Sequence, residues 1–430
     1  MPTDSIRLIL LLMLLASSAP WAKTLPDPQE VRLERLQLMR GFPPPVERQV
    51  TRENYLLHYP NARWAFHHMR ELLPSRNVSR GTTGSAELPR GEDLRQRLDA
   101  LSFVGPDGQA WRFTDYLTNT YADATLIMKD GKVIYEAYHQ SMAAEQPHML
   151  WSLSKSLVGV TAAQMIEEGL LDPDALVTDY VPELQSSGWQ DATLGQLLDM
   201  TADVAYSETD LQSDVLLYGF AAGMLPAPAD YSGPDDIYSY LPTIAPAGTH
   251  GDRFIYRTVH TEVLGWIMRR VSGQPLADLL SERIWRKLGA EHDAYMLLDR
   301  QGTEWAGAGF NASLRDLARF GEMMRQNGYF NGQQIIAPEV VSSIRQGADP
   351  LAFEASGRDY QPGYSYRAHW WISHDEDGTY EALGAYGQLL HINPTAGIVV
   401  VRLSSHPLAP SAHSFPATRL AMAALAEALR

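Results

Sequence analysis

Cysteine is missing from all 430 residues, and that absence alone removes disulfides, thiol catalysis and cysteine-ligated metals. Basic residues are scarce beside acidic ones. The chain has 35 Lys and Arg against 51 Asp and Glu, a formal net charge of −16, which argues against nucleic acid or an anionic membrane surface as a partner. The apolar run Leu8 to Ala16 is too short to span a bilayer, so no stable membrane anchor is expected. The 13 histidines include no His-Glu-x-x-His pair, and the adjacent His67 and His68 would point about 100° apart on a helix. No metal and no cofactor is therefore expected. What is present is ordinary for a globular enzyme: 45% of residues are hydrophobic and 20% charged.

Arg7, the apolar run after it and the small residues Ser17, Ser18 and Ala19 read as a signal peptide over residues 1–22, which points to a bacterial periplasmic or secreted protein. Residues 23–95, rich in Pro, Arg and Glu, read as an N-terminal arm with one helix near Arg63 to Leu73. The pattern then turns to alternation. Ala124 to Tyr138 predicts a hairpin about Asp130-Gly131, and strand signals return at Tyr364 to Ile372, Tyr386 to Ile392 and Ile398 to Leu403. Between them lie helical stretches at Leu194 to Met200, Thr261 to Val271 and Leu314 to Gln326, and a last one runs from Pro416 to Leu429. Strands at both ends with helices between predict an α+β domain over 96–430, in which distant segments close one antiparallel sheet and a mainly helical lobe, about 170–310, is inserted.

The stretch Trp151 to Ile166 holds a single charge, Lys155, among apolar and small residues. A helix apolar on all sides is a buried one, and an ammonium buried without a partner tends to shed its proton. A neutral lysine is a base. Ser152 precedes it by three positions, so one helical turn would bring hydroxyl and amine together as an activated nucleophile.

Two further segments complete a pattern. Ser152-Leu-Ser-Lys155, Tyr256-Arg-Thr and the strand piece Ala382-Leu-Gly384 together resemble the serine beta-lactamase and penicillin-binding-protein superfamily, in its class C and carboxylesterase branch. Tyr256 to Trp266, Gly309 to Gly321, Gly384 to Gln388 and the leader piece from Arg63 are similar to the 6-aminohexanoate-dimer hydrolases of that branch. The resemblance implies a beta-lactamase/transpeptidase-like fold and a serine hydrolase that cleaves small-molecule esters or linear amides through an acyl-enzyme. By the same resemblance Ser152 is the nucleophile, Lys155 its proton acceptor and Tyr256 a hydrogen-bonding partner of both that passes the proton to the leaving group. The amides of Ser152 and Ala385 would form the oxyanion hole, and Tyr206, Asn311 and Gly384 would meet substrate. For Asn311, helix capping is the rival role.

Thr258 and Ala382 depart from the family pattern, standing where true beta-lactamases and peptidases have Asn and Lys. Losing that cation removes a contact of about 1.5–3 kcal/mol to a substrate carboxylate, so poor beta-lactam turnover is expected. Rival readings are a D-amino-acid peptidase or weak penicillin-binding protein, and a silent binding protein on the same fold.

Overall fold

A computed structural model describes residues 25–430, so the segment read as a signal peptide lies outside the described residues. Two sheets organise the described chain. Their strands, in chain order, are β1 (Ser75–Val78), β2 (Ala122–Lys129), β3 (Lys132–Tyr138), β4 (His148–Met149), β5 (Ala294–Leu297), β6 (Phe310–Ala312), β7 (Ser365–Arg367), β8 (Trp370–Ile372), β9 (Tyr380–Gly384), β10 (Gln388–Asn393) and β11 (Ile398–Ser404). The larger sheet is antiparallel, in the order β7-β8-β9-β10-β11-β2-β3. The smaller one runs β1-β5-β6-β4.

The expected hairpin is β2 and β3. Asp130 and Gly131 both take positive φ, 49° and 77°, the turn whose twist matches the strands it joins. Strand β2 then pairs along its length with β11, which lies some 270 residues later in the sequence. The larger sheet is thus closed by pairing its first strand in the sequence with its last, as the α+β reading requires.

Between the sheet's halves the chain is largely helical. Among the chain's helices are α1 (Phe113–Asn119), α2 (Ser154–Glu167), α3 (Asp214–Ala221), α4 (Thr258–Ser272), α5 (Leu314–Arg325) and α6 (Phe415–Leu429). Helix α2 is buried on every side from Ser154 to Ala162. It lies so close to the β7–β8 turn that a Cβ on Gly159 would stand 2.1 Å from the Ala368 carbonyl oxygen. Only glycine fits there. Among the described residues no helix is long and apolar enough to cross a membrane.

Several elements depart from the sequence pattern. The strand expected over Tyr364 to Ile372 is a tight hairpin of two strands, because Ala368 and His369 turn the chain at φ 47° and 64°. The strand expected from Tyr386 starts at Gln388, since Tyr386 and Gly387 are likewise left-handed. The helix expected near Arg63 shrinks to Ala62–Ala65 and a turn at Met69–Glu71. Its residues are pinned by long-range contacts rather than by a regular helical ladder.

Arg63 makes most of those contacts. Its guanidinium, 1% exposed, pairs with Asp123 at 3.1 Å and donates to the carbonyls of Val31 and Tyr121 and to the Ser405 hydroxyl. His148 in β4 meets the other Asp123 oxygen at 3.2 Å. Burial alone would raise the Asp123 carboxyl, but Arg63 and His148 outweigh it and hold the group below the usual carboxylate range. The stability it lends is therefore present above that range and lost as pH falls below it. Arg63→Ala leaves Asp123 buried without its cation, and is expected to cost about 3–5 kcal/mol in denaturant unfolding, because removing one partner strands the other.

Candidate active site

Strand β4 leads directly into the candidate nucleophile. Met149 pairs with Asn311 of β6, and the Leu150 amide donates to the Phe310 carbonyl at 3.0 Å, so the end of β4 is held rigidly. The chain then turns at Trp151, whose φ of 51° is unusual for a bulky residue. Ser152 sits in a short 3-10 turn, Trp151–Leu153, and α2 begins two residues later. It is thus placed on the turn ahead of the helix rather than on the helix itself, and its side chain stays partly accessible.

Lys155 comes one turn on and is 1% exposed. Its Nζ donates to the Ser152 hydroxyl at 3.0 Å and to the Gly307 carbonyl at 2.7 Å. Neither acceptor is a carboxylate. His369 also lies nearby, but burial and then the neighbouring Lys155 push its imidazole well below the usual range, so it brings no second cation.

Tyr256 lies two residues ahead of α4 and presents its ring 5.1 Å from Lys155 Nζ. The ring stacks on Trp371 of β8, with 5.6 Å between centroids. The expected hydrogen bonds from the Tyr256 hydroxyl to Ser152 and Lys155 are not formed among the described residues. The physical reason is the Trp371 stack, which fixes the ring face toward the amine. Amine, serine and tyrosine nevertheless lie together, the amine 3.0 Å from the hydroxyl and 5.1 Å from the centre of the ring.

Strand β9 forms the facing wall. A Cβ on Gly384 would lie 2.2 Å from the Leu150 carbonyl oxygen, so the strand end presses against the nucleophile turn. Tyr386 packs on Trp151 with 5.0 Å between ring centroids, so the residues after Gly384 also lie against the nucleophile turn. Gly384 is the last residue of β9, because the chain reverses over 385–387.

Tyr206 is buried in the loop before α3, and burial, then Glu208, raises its hydroxyl well above the ordinary value. It remains a donor. Asn311 is fully buried in β6, where its side-chain amide donates to Gly309 and its Oδ1 has no hydrogen-bond partner among the described residues. It does not cap α5. That role belongs to Ser313, whose hydroxyl accepts from the Asp316 amide, since the strand carries Asn311 away from the helix start.

Pattern reading missed two contributors, Gly307 and Glu262. Glu262 is 1% exposed on α4 and accepts from the amides of Ala306 and Gly307. Its signal was a lone acid in the run His260-Thr-Glu-Val-Leu-Gly-Trp266, whereas a backbone carbonyl such as that of Gly307 leaves no trace in residue types.

The beta-lactamase family model matches residues 112–424. The chain belongs to the beta-lactamase family. Within that family, 6-aminohexanoate-dimer hydrolase of Paenarthrobacter ureafaciens is 35% identical over 351 residues, covering 81% of this chain and 86% of the relative. A Bacillus anthracis protein provisionally named 6-aminohexanoate-dimer hydrolase has a solved structure that superposes with a TM-score of 0.81 at 31% identity, over 90% of this chain and 98% of its own. The octameric penicillin-binding-protein homologue of Pyrococcus abyssi, at 18% identity and a TM-score of 0.55, shares the fold over 74% of this chain and 75% of its own. The beta-lactamase-like α+β fold expected from the motifs is borne out. As a member of the family the chain is a serine hydrolase, of the kind that acts on small-molecule amides and esters.

Proposed function

We propose that the protein cleaves carboxylic esters and small linear amides through an acyl-enzyme on Ser152. The observation that carries this reading is the Lys155 amine, buried and 3.0 Å from the Ser152 hydroxyl, with no carboxylate among its hydrogen-bond acceptors. Lys155 takes the hydroxyl proton as the serine oxygen attacks the substrate carbonyl carbon. The amides of Ser152 and Ala385 receive the oxyanion, and Tyr256 hands a proton to the departing alcohol or amine. Lys155 passes the serine proton on to Tyr256 and is a free base again; water then attacks the acyl-serine, gives its proton to Lys155, and Lys155 returns a proton to the Ser152 oxygen as the acid is released. Gly384 lets the end of β9 close on the nucleophile turn, while Tyr206 and Asn311 shape the surroundings of leaving group and nucleophile. The Paenarthrobacter relative makes the 6-aminohexanoate dimer the first amide to try. The apolar leader supports export, in which case the mature enzyme works in the periplasm or outside the cell.

Intact mass tests the acyl-enzyme directly. After incubation with p-nitrophenyl butyrate, the wild type is expected to gain one butyryl group and Ser152→Ala none. Labelling of both proteins alike, or of neither while hydrolysis continues, would remove Ser152 from the mechanism. With Ala382 fully buried where the family has a cation, a fluorescent penicillin is expected to label slowly and substoichiometrically. Stable stoichiometric labelling would favour the peptidase reading.

A further inference from the structure

Glu262 accepts three hydrogen bonds in the interior, from the Ala306 amide at 2.9 Å, the Gly307 amide at 2.9 Å and the Tyr218 hydroxyl at 2.6 Å. No Lys, Arg or His lies within ion-pair distance of it among the described residues, although a lone buried carboxylate is costly to keep. Gly307 joins it to the catalytic centre: the residue whose N–H is held by Glu262 gives its C=O to Lys155 Nζ at 2.7 Å. There is little slack in this link, since a Cβ on Gly307 would stand 2.7 Å from Thr258 Cγ2 and 3.0 Å from Glu262 Oε1. The geometry points to Glu262 as the positioning residue of the base, aiming the Lys155 amine at Ser152 through the 306–307 peptides and adding a negative field beside it. The inference rests on Lys155 being the proton acceptor.

The surroundings set how that field varies with pH. Burial pushes the Glu262 carboxyl up to about 7, against the hydrogen bonds of Tyr218, Gly307 and Ala306 and the charge of Lys155, which pull it down. Facing it are Lys155 from α2, Tyr218 from α3, Tyr206 in the loop that also carries Glu208, and Tyr238 from the short helix Ile237–Tyr240. None of the tyrosines ionises in the ordinary range, because burial raises each of them. Glu262 is therefore the group whose charge changes beside the amine near neutrality.

Glu262→Gln removes the charge and turns one acceptor oxygen into a donor facing an amide. The acylation burst with p-nitrophenyl butyrate, followed across pH, is expected to fall at least about tenfold at little-changed KM. The midpoint of its pH profile is expected to move to lower pH, since an ammonium without the nearby carboxylate loses its proton more readily. A purely structural role would lower the plateau together with the melting temperature and leave the midpoint in place, and that result would overturn the inference. Should Glu262→Gln fail to fold, Tyr218→Phe carries the test: removing one donor to the carboxylate is expected to move the midpoint the same way by less, and an unmoved midpoint would overturn it. Lys155→Met separates the two readings. If it acylates like wild type, both fall; if it is inactive while Glu262→Gln behaves as wild type, only this one falls.

Discussion

Lys155→Met is expected to slow acylation by about 10²–10⁴-fold, the range a positioned general base contributes, while KM stays nearly unchanged. The side chain of methionine fills the same space without the amine. At 1% exposure the amine has, among the described residues, only the Ser152 hydroxyl and the Gly307 carbonyl as acceptors, so removing it takes away a desolvated charge-bearing group more than it takes away a contact. The melting temperature is therefore expected to hold or rise. Stopped-flow burst kinetics and a thermal melt on one sample check both halves. Activity retained at wild-type level would remove Lys155 as the base, whereas activity and melting temperature falling together would make it a structural residue.

The nucleophile and its base were legible because their chemistry leaves a local trace. One charge in an apolar run, three residues from a serine, is a spacing argument, and the structure delivers the contact at 3.0 Å. The hairpin and the long helices were legible for the same reason: Asp130-Gly131 needs no distant partner to define its turn, and the apolar stripe of α5, with Phe320, Met323 and Met324 all buried, repeats at helical spacing. The strands β1, β4, β5 and β6 were not legible. Each has four residues or fewer, and they exist through pairings such as Ser75 with Leu297, more than 200 residues apart. A strand of two residues like His148–Met149 carries no period at all. Yet this small sheet fixes where Ser152 sits, so the support of the site was the hidden part and its chemistry the visible part. Glu262 lies between the two cases: its residue type was conspicuous, but its partners are backbone amides 44 and 45 residues away.

That division predicts where a small change has a large consequence. Gly384 has an ordinary extended backbone, φ −127° and ψ 154°, so no conformational demand calls for glycine there. Space does. An added methyl would lie 2.2 Å from the Leu150 carbonyl and 2.8 Å from Gln388 Cβ, and the first of these is backbone one residue ahead of the left-handed Trp151. Either β9 or the nucleophile turn must move. The movement separates the Ser152 amide from the Ala385 amide, which are proposed to act together on one oxyanion, and misaiming one donor of such a pair costs about 10²–10³-fold in kcat. Gly384→Ala is accordingly expected to lose about that much in kcat while KM for a small ester changes little and the melting temperature drops by a few degrees. Gly84→Ala, whose new methyl would meet nothing within 4 Å, is the matched control and is expected to behave as wild type. If both variants hydrolysed p-nitrophenyl butyrate at the wild-type rate, the contact between β9 and the Ser152 turn would have no part in catalysis, and the oxyanion would have to be held elsewhere.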